Sequence, residues 1–480
     1  MNIVLTTANA RYTHCALGLR CLAAALKSRG HEPRLREFTI QQSACEIAEA
    51  LLETAPDIIG FGVYIWNVDL ITHAACIIRS VAPDTILVLG GPEMTDNDEN
   101  TRLLDAADYV IVGEGEEALS GLVTQLEKGE RPPSKYIFAA PPALEGRPSP
   151  YEYYTEEDIR NRIVYVESSR GCPYRCAFCL SSRDERVRYS ALPEFFASMD
   201  MLLRRGVRLF KYTDRTFNID DARVVEILRF FLRRPEADVQ LHFEIMPDRL
   251  SDTVLETMKK FPPGMLHLEL GVQSFSEETQ QRIRRRQHIG RTLEAIAFLR
   301  NHTGALLHAD LIIGLPGDTE ATLAHGVDAL VAAGVQEIQV GLLKRLKGTP
   351  MAGEAGQELT FDQRPPYEVL ETPRMSFNDI QRLKRFARFF DLYYNRGNFP
   401  ESLPLLWQHG ESPFARFDAL AAFIWKREGR THNLSLARLA EHLFAFLCET
   451  CGCNRDMAAS CIQRDFQRFP GRRDKLDFPA

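Results

Sequence analysis

Over residues 1–130, short apolar runs alternate with stretches whose apolar positions recur at helical spacing. The runs Ile3–Leu5, Arg34–Phe38, Ile58–Val63, Ile86–Leu89 and Tyr109–Val112 read as strands. Leu17–Lys27, Ala44–Glu53, Asp69–Ser80 and Glu116–Lys128 read as helices. This alternation predicts a doubly wound parallel sheet of Rossmann-like type. Ligands of such sheets bind beyond the carboxyl ends of the strands. Three segments fall there: Tyr64-Ile65-Trp66-Asn67, Gly90-Gly91-Pro92 and Gly113-Glu114-Gly115-Glu116. Glycine in such places lets main chain approach a bulky ligand. Residues 131–150 hold six prolines and predict a semi-rigid connector.

From residue 151 to 350 the alternation resumes. Predicted strands are Ile163–Val166, Val207–Tyr212, Val239–Ile245, Met265–Val272, Leu306–Ile312 and Glu337–Leu342. Between them Leu192–Arg204, Arg223–Arg233, Asp252–Lys260, Arg291–Asn301 and Ala321–Ala333 have helical spacing. Lys347-Gly348-Thr349-Pro350 closes this part. Residues 351–480 predict a mainly helical domain. Ser376 caps an amphipathic helix through Phe377, Ile380, Leu383, Phe386 and Phe390 that stops near Gly397, and helical pattern returns in Phe414–Lys426 and Leu434–Leu447.

A length of 480 residues agrees with about three domains. A net charge of −7 argues against a general nucleic-acid binder. No apolar run reaches the length of a membrane span, so no membrane partner is expected. Met1-Asn2-Ile3-Val4-Leu5 starts as a strand and lacks the basic region of a signal peptide, which predicts a cytoplasmic protein. In that compartment the eleven cysteines are expected as reduced thiols and metal ligands.

Three of those cysteines carry the chemistry. In Ser168-Ser169-Arg170-Gly171-Cys172-Pro173-Tyr174-Arg175-Cys176-Ala177-Phe178-Cys179 they are spaced C-x3-C-x2-C. Three thiolates from one loop can hold three irons of a [4Fe-4S] cluster and leave the fourth open. Structural zinc would want a fourth ligand, and after Cys179 neither His nor Cys appears before His242. The block, with Phe178 before the last cysteine, resembles the signature of the radical S-adenosylmethionine (SAM) enzymes. That resemblance implies that the open iron chelates the amino and carboxylate groups of SAM. One electron, from a donor such as flavodoxin or ferredoxin, then releases a 5′-deoxyadenosyl radical.

The six β/α units suit the partial (β/α)6 barrel of that superfamily. The resemblance assigns Phe178, Asp214, Glu244, Gln273, Gly314 and Leu315 to the SAM site. Asp214, in Tyr212-Thr213-Asp214-Arg215-Thr216-Phe217, stands where the family usually carries Gly-Gly-Glu. Arg282-Ile283-Arg284-Arg285-Arg286-Gln287-His288 is expected as a solvated helix face, with contact to the anionic end of cofactor or substrate as the alternative.

The first domain is similar to the cobalamin-binding domains fused ahead of such barrels. That likeness gives Tyr64, Trp66, Asn67, Gly90, Gly91, Pro92, Gly113, Glu114 and Gly115 to cobalamin. A domain holding a nucleotide, or no ligand, is the alternative. Cobalamin domains that replace the lower cobalt ligand carry Asp-x-His-x-x-Gly. Here Tyr12-Thr13-His14-Cys15-Ala16-Leu17-Gly18 lacks the Asp and has its Gly one residue late, so His14 is expected to cap or pack. The last domain resembles a helical appendage of unassigned function in such fusions.

Together these features point to a cobalamin-dependent radical SAM methyltransferase acting on an unactivated carbon of a small-molecule or peptide substrate. A rearrangement or cyclisation without methyl transfer is the alternative. A methylthiotransferase fits less well, since Cys15, Cys21, Cys45 and Cys76 do not form that family's N-terminal cluster pattern. A redox or cobalamin sensor would hold a cluster without cleaving SAM. Cys448, Cys451, Cys453 and Cys461, spaced C-x2-C-x-C-x7-C, are expected as incidental thiols, with a metal site as the alternative, and no catalytic residue is assigned.

Overall fold

The computed structural model describes residues 1–95, 100–234, 238–468 and 476. It divides into two compact units, one of residues 1–244, 345–354 and 362–367, the other of residues 245–344, 355–361 and 368–480. The division falls within the expected barrel and not at the proline-rich connector.

The first unit opens with a parallel sheet of β1 (Ile3–Asn9), β2 (Arg34–Thr39), β3 (Ile58–Gly62), β4 (Ile86–Gly90), β5 (Tyr109–Val112) and β6 (Tyr136–Phe138), in the order β2-β1-β3-β4-β5-β6. Its helices are α1 (Leu17–Ser28), α2 (Ala44–Leu52), α3 (Val68–Val81), α4 (Thr101–Ala106) and α5 (Gly115–Glu127). The central strands are apolar on both faces because both are covered. Val4, Ile59, Phe61, Leu87 and Leu89 pack with Ile47 and Leu51 of α2 and Ile71 and Ile78 of α3. Ile3, Leu5, Ile58, Ile86 and Val88 pack on the other face with Leu19 and Leu26 of α1 and Leu122 of α5. Alternate residues of one strand thus belong to opposite cores, as the two-residue period of a strand requires.

The expected connector is corrected at β6. Tyr136-Ile137-Phe138 pairs with β5 as the sixth strand, at the sheet edge where flanking proline is tolerated. Next come α6 (Glu156–Asn161), β7 (Val164–Val166), a two-residue antiparallel ribbon of β8 (Ser169–Arg170) and β9 (Arg188–Tyr189), α7 (Leu192–Arg204), β10 (Leu209–Tyr212), α8 (Asp221–Leu232) and β11 (Gln240–Ile245). Strand β10 pairs in parallel with both β7 and β11.

The second unit continues with α9 (Asp252–Met258), β12 (Leu266–Gln273), α10 (Glu277–Arg282), α11 (Ile289–His302), β13 (Leu306–Ile313), α12 (Glu320–Ala332) and β14 (Glu337–Leu342), with β12, β13 and β14 parallel. Helices α13 (Phe377–Phe390), α14 (Pro413–Glu428), α15 (Leu436–Glu449) and α16 (Arg455–Gln467) complete it. Ser376 and Asp379 form a capping box at the start of α13. Phe386, Phe390, Phe414 and Phe417 stack into an aromatic core between α13 and α14. Asn395 accepts from Ile338 N at 2.8 Å and donates to its carbonyl at 3.1 Å, satisfying both main-chain groups on β14.

The expectation for Arg282–His288 is also corrected. Helix α10 stops at Arg282, and Arg284 takes a left-handed conformation (φ 56°). The turn sends Arg285 inward, 8% exposed, where its guanidinium donates to the Gly271 carbonyl at 2.5 Å. Among the described residues no helix is long and apolar enough to cross a membrane.

Candidate functional site

The β8–β9 ribbon closes the base of the three-cysteine loop. Cys172 and Cys176 are buried and Cys179 is half-buried. The Cys172 amide donates to the Asp184 carbonyl at 2.9 Å, and the Met351 amide donates to Ala177 at 2.9 Å. Phe178 lies half-buried between the last two cysteines.

A dense ion network holds the base of this loop. The ribbon sets Arg170 opposite Arg188, like charges that would repel across two strands. Carboxylates from the first sheet neutralise them. Arg170 donates to Glu114 at 2.5 Å and Glu116 at 2.8 Å, and Arg188 also binds Glu114. Glu114 stands at the N-cap position of α5, without a side-chain capping bond, and Glu116 lies in its first turn, where acidic side chains also face the positive helix end. Arg170 further engages Glu167 through two bonds of 2.9 Å, and Arg147 reaches Glu167 at 2.8 Å. Burial alone would raise the Glu167 carboxyl, but Arg170 and Arg147 hold it below its ordinary range. Glu114, expected on cobalamin, is therefore engaged with arginines of the cysteine loop.

Asp214, expected at the SAM site, is engaged within the protein. It is buried at the end of β10 and accepts from the Ser168 amide at 2.8 Å, the Ser168 hydroxyl at 2.7 Å and the Ser169 hydroxyl at 2.6 Å. Both its oxygens are used within the protein, so it clamps the strand leading into Cys172. Burial pushes its carboxyl up to about 6, against the three hydrogen bonds. Glu244 is half-buried near the end of β11, beside Phe243, which stacks on Phe217 at 3.9 Å.

In the second unit, Gln273 ends β12 at an irregularity in its pairing with β13. Its φ of 72° lies in the left-handed region, a strained backbone for a non-glycine residue. Arg285 and Gln287 both donate to the Gly271 carbonyl two residues before it. Sequence reasoning missed Arg285 because a run of arginines reads as surface. Gly314 and Leu315 follow β13. Gly314 has a φ of 86°, and a Cβ there would stand 2.5 Å from Val369, so the protein itself fills that space. Leu315 is wholly buried and offers only main chain.

At the first sheet, Tyr64, Trp66 and Asn67 follow β3, Gly90, Gly91 and Pro92 end β4, and Gly113, Glu114 and Gly115 follow β5. They line adjacent strand ends beside the β1/β3 switch point. Tyr64 and Trp66 stack at 4.6 Å and 9°, with Trp66 left exposed. Asn67 is structural: its amide bonds Thr7, Ala8 and Gly62. Gly91 is required by the chain itself, because at φ 107° a Cβ would lie 2.5 Å from the Val63 carbonyl. Beside Gly90 the nearest such contact is 4.0 Å, so a Cβ there would meet no close neighbour within the protein. His14 Nδ1 lies 2.5 Å from the Tyr165 hydroxyl, joining the β1 loop to β7.

Residues 3–123 match the B12 binding domain family, 166–330 the Radical SAM superfamily and 357–478 a family of unknown function, DUF4080. The ribosomal protein uS12 methylthiotransferase RimO of Trichormus variabilis is 24% identical over 55% of this chain and 61% of its own length. The anaerobic magnesium-protoporphyrin IX monomethyl ester cyclase of Rubrivivax gelatinosus is 25% identical over 63% of this chain and 59% of its own. The chain thus spans about 60% of the length of these relatives. Among solved structures, the radical SAM methyltransferase TsrM of Kitasatospora setae, with cobalamin and a [4Fe-4S] cluster bound, is 17% identical. It aligns over 98% of this chain and 100% of its own with a TM-score of 0.62. OxsB, a cobalamin-dependent SAM radical enzyme with aqua-cobalamin bound, is 14% identical and aligns over 97% and 83% with a TM-score of 0.66. These two likenesses show a shared fold.

Proposed function

We propose that this chain, which belongs to the radical SAM proteins carrying a B12-binding domain ahead of the barrel, is a cobalamin-dependent methyltransferase acting on an unactivated carbon. The observation that carries the reading is the Arg170 network. Arg170 stands two residues before Cys172 and is bonded to Glu114 and Glu116 at the strand-end edge of the B12-binding domain. The two cofactor-bearing edges are thereby tied together, which a reaction using both groups on one substrate needs.

Cys172, Cys176 and Cys179 would hold the cluster as thiolates, with Glu244 toward SAM. The space by Gly90 and the Tyr64–Trp66 stack would seat cobalamin. When bound, cluster and SAM supply a radical that abstracts hydrogen, and cobalamin supplies the methyl group. The protein's part is to fix these groups and keep water away. The electron would come from an external donor of the flavodoxin or ferredoxin class. Cys15, Cys21, Cys45 and Cys76 do not form the N-terminal cluster pattern of the methylthiotransferases, which counts against that activity.

Anaerobic incubation with SAM labelled on its methyl group, a reductant and a fractionated extract of small molecules and peptides tests the proposal. Labelled product formed only with cobalamin present supports it. Formation of 5′-deoxyadenosine with no labelled product would favour rearrangement or cyclisation.

A further inference from the structure

One face of the second unit's strands carries a cluster of ionisable groups with no part in the reading above. Successive residues of one face on β12 are His267 and Glu269, on β13 His308 and Asp310, and on β14 Glu337. The pairing sets Glu269 beside His308 and His308 beside Glu337. Their in-strand neighbours Leu266, Leu268, Leu307, Ala309 and Ile338 fill the opposite, buried face. The cluster lies toward the amino ends of the strands, whereas Gln273 sits at the carboxyl end of β12.

One donor atom each from His267, His308 and Glu337 lies within 4.8 Å of the others, the only such group among the described residues. His308 presents Nδ1 to Glu337 at 3.6 Å and Nε2 to Asp310 at 3.4 Å. Two imidazoles and a carboxylate are a donor set for a borderline divalent ion. The carboxylate on the far nitrogen of a ligating histidine orients the ring and fixes its tautomer. Donors 2.0–2.1 Å from a tetrahedral ion stand about 3.4 Å apart, so a small side-chain shift closes the set. Glu337, 42% exposed, leaves the fourth position open to water.

We propose that His267, His308 and Glu337 form a mononuclear site for a divalent transition metal of the zinc class, with Asp310 orienting His308. The ion pins β12, β13 and β14 at their amino ends, the end of a barrel that serves stability. It is separate from the cysteine cluster in ligands and in role, so it stands whether or not methyl transfer does.

Cobalt(II) added to the untagged, cluster-loaded full chain tests the site. The wild type should bind a single equivalent with visible ligand-field absorption and no sulfur-to-cobalt charge transfer. His308→Ala should abolish that band with iron content unchanged. Asp310→Asn should keep the stoichiometry and weaken binding by about 10–100-fold. If His308→Ala does not fold, Glu337→Gln, a half-exposed change, decides through loss of affinity. Titrations that superpose for wild type and variant, or cobalt bound only through thiolates, would overturn the proposal and leave the charge of the cluster to a proton on His308.

Discussion

Asp214 gives a sharp physical test, because its charge and its hydrogen bonds act in opposite directions. Burial raises its carboxyl from 3.8 to about 6. The folded protein therefore binds more protons than the unfolded chain between about pH 4 and pH 6, and stability falls as pH rises through that window. For these two values, lowering the pH from 7 to 5 stabilises the fold by about 1.4 kcal/mol through this group. Asp214→Asn removes the titration and keeps one acceptor, so it should lose this gain. Asp214→Ala removes the acceptor for the Ser168 amide and two serine hydroxyls. A buried donor left unpaired costs about 1–3 kcal/mol. Since the hydroxyls can reorient, the net loss at pH 7 should be about 2–4 kcal/mol. Urea unfolding followed by circular dichroism at pH 7 and pH 5 separates the three proteins. The alanine variant should also lose iron on reconstitution, because the clamp sits at the base of the cysteine loop. Wild type and asparagine variant with the same pH dependence, or an alanine variant as stable as wild type, would refute the reasoning.

Other substitutions probe the remaining parts. Cys176→Ala should remove the cluster's absorbance and all SAM cleavage in an anaerobic assay, whereas Cys451→Ala and Cys453→Ala should leave iron content unchanged. Arg170→Ala removes one arginine from Glu114, Glu116 and Glu167, which Arg188 and Arg147 still reach, and should cost about 1.5–3 kcal/mol by chemical denaturation, the scale for a hydrogen bond to a charged group. Gly90→Leu should lower cobalamin retained after gel filtration with little change in melting temperature. Gly91→Leu should lower both, because its side chain meets the Val63 backbone.

Much of the fold was legible because burial on both faces writes continuous apolar runs, as in Ile86–Leu89, and helices write a longer period, as in Leu192–Arg204. The strand β6 was hidden by the prolines around it, and α4 and α10 are only six residues each. The cysteine spacing marked the cluster loop because its ligands are local in the chain. What holds that loop is not local. Arg170 and Glu114 are 56 residues apart, and Asp214 and Ser168 are 46 apart. No periodicity reports such pairs, so the bonds that Glu114 and Asp214 make within the protein were not legible in the sequence. Arg285 failed the other way, since its burial depends on a turn that its arginine-rich surroundings conceal.

The central claim, that cluster and cobalamin act together in methyl transfer, is tested most directly by following two products of SAM. Reconstituted protein is incubated anaerobically with SAM and reductant, with and without cobalamin, and 5′-deoxyadenosine and S-adenosylhomocysteine are quantified. With cobalamin both should form. Without it S-adenosylhomocysteine should be absent, and in Cys176→Ala 5′-deoxyadenosine should be absent as well. S-adenosylhomocysteine that never appears, or appears equally without cobalamin, would contradict the account.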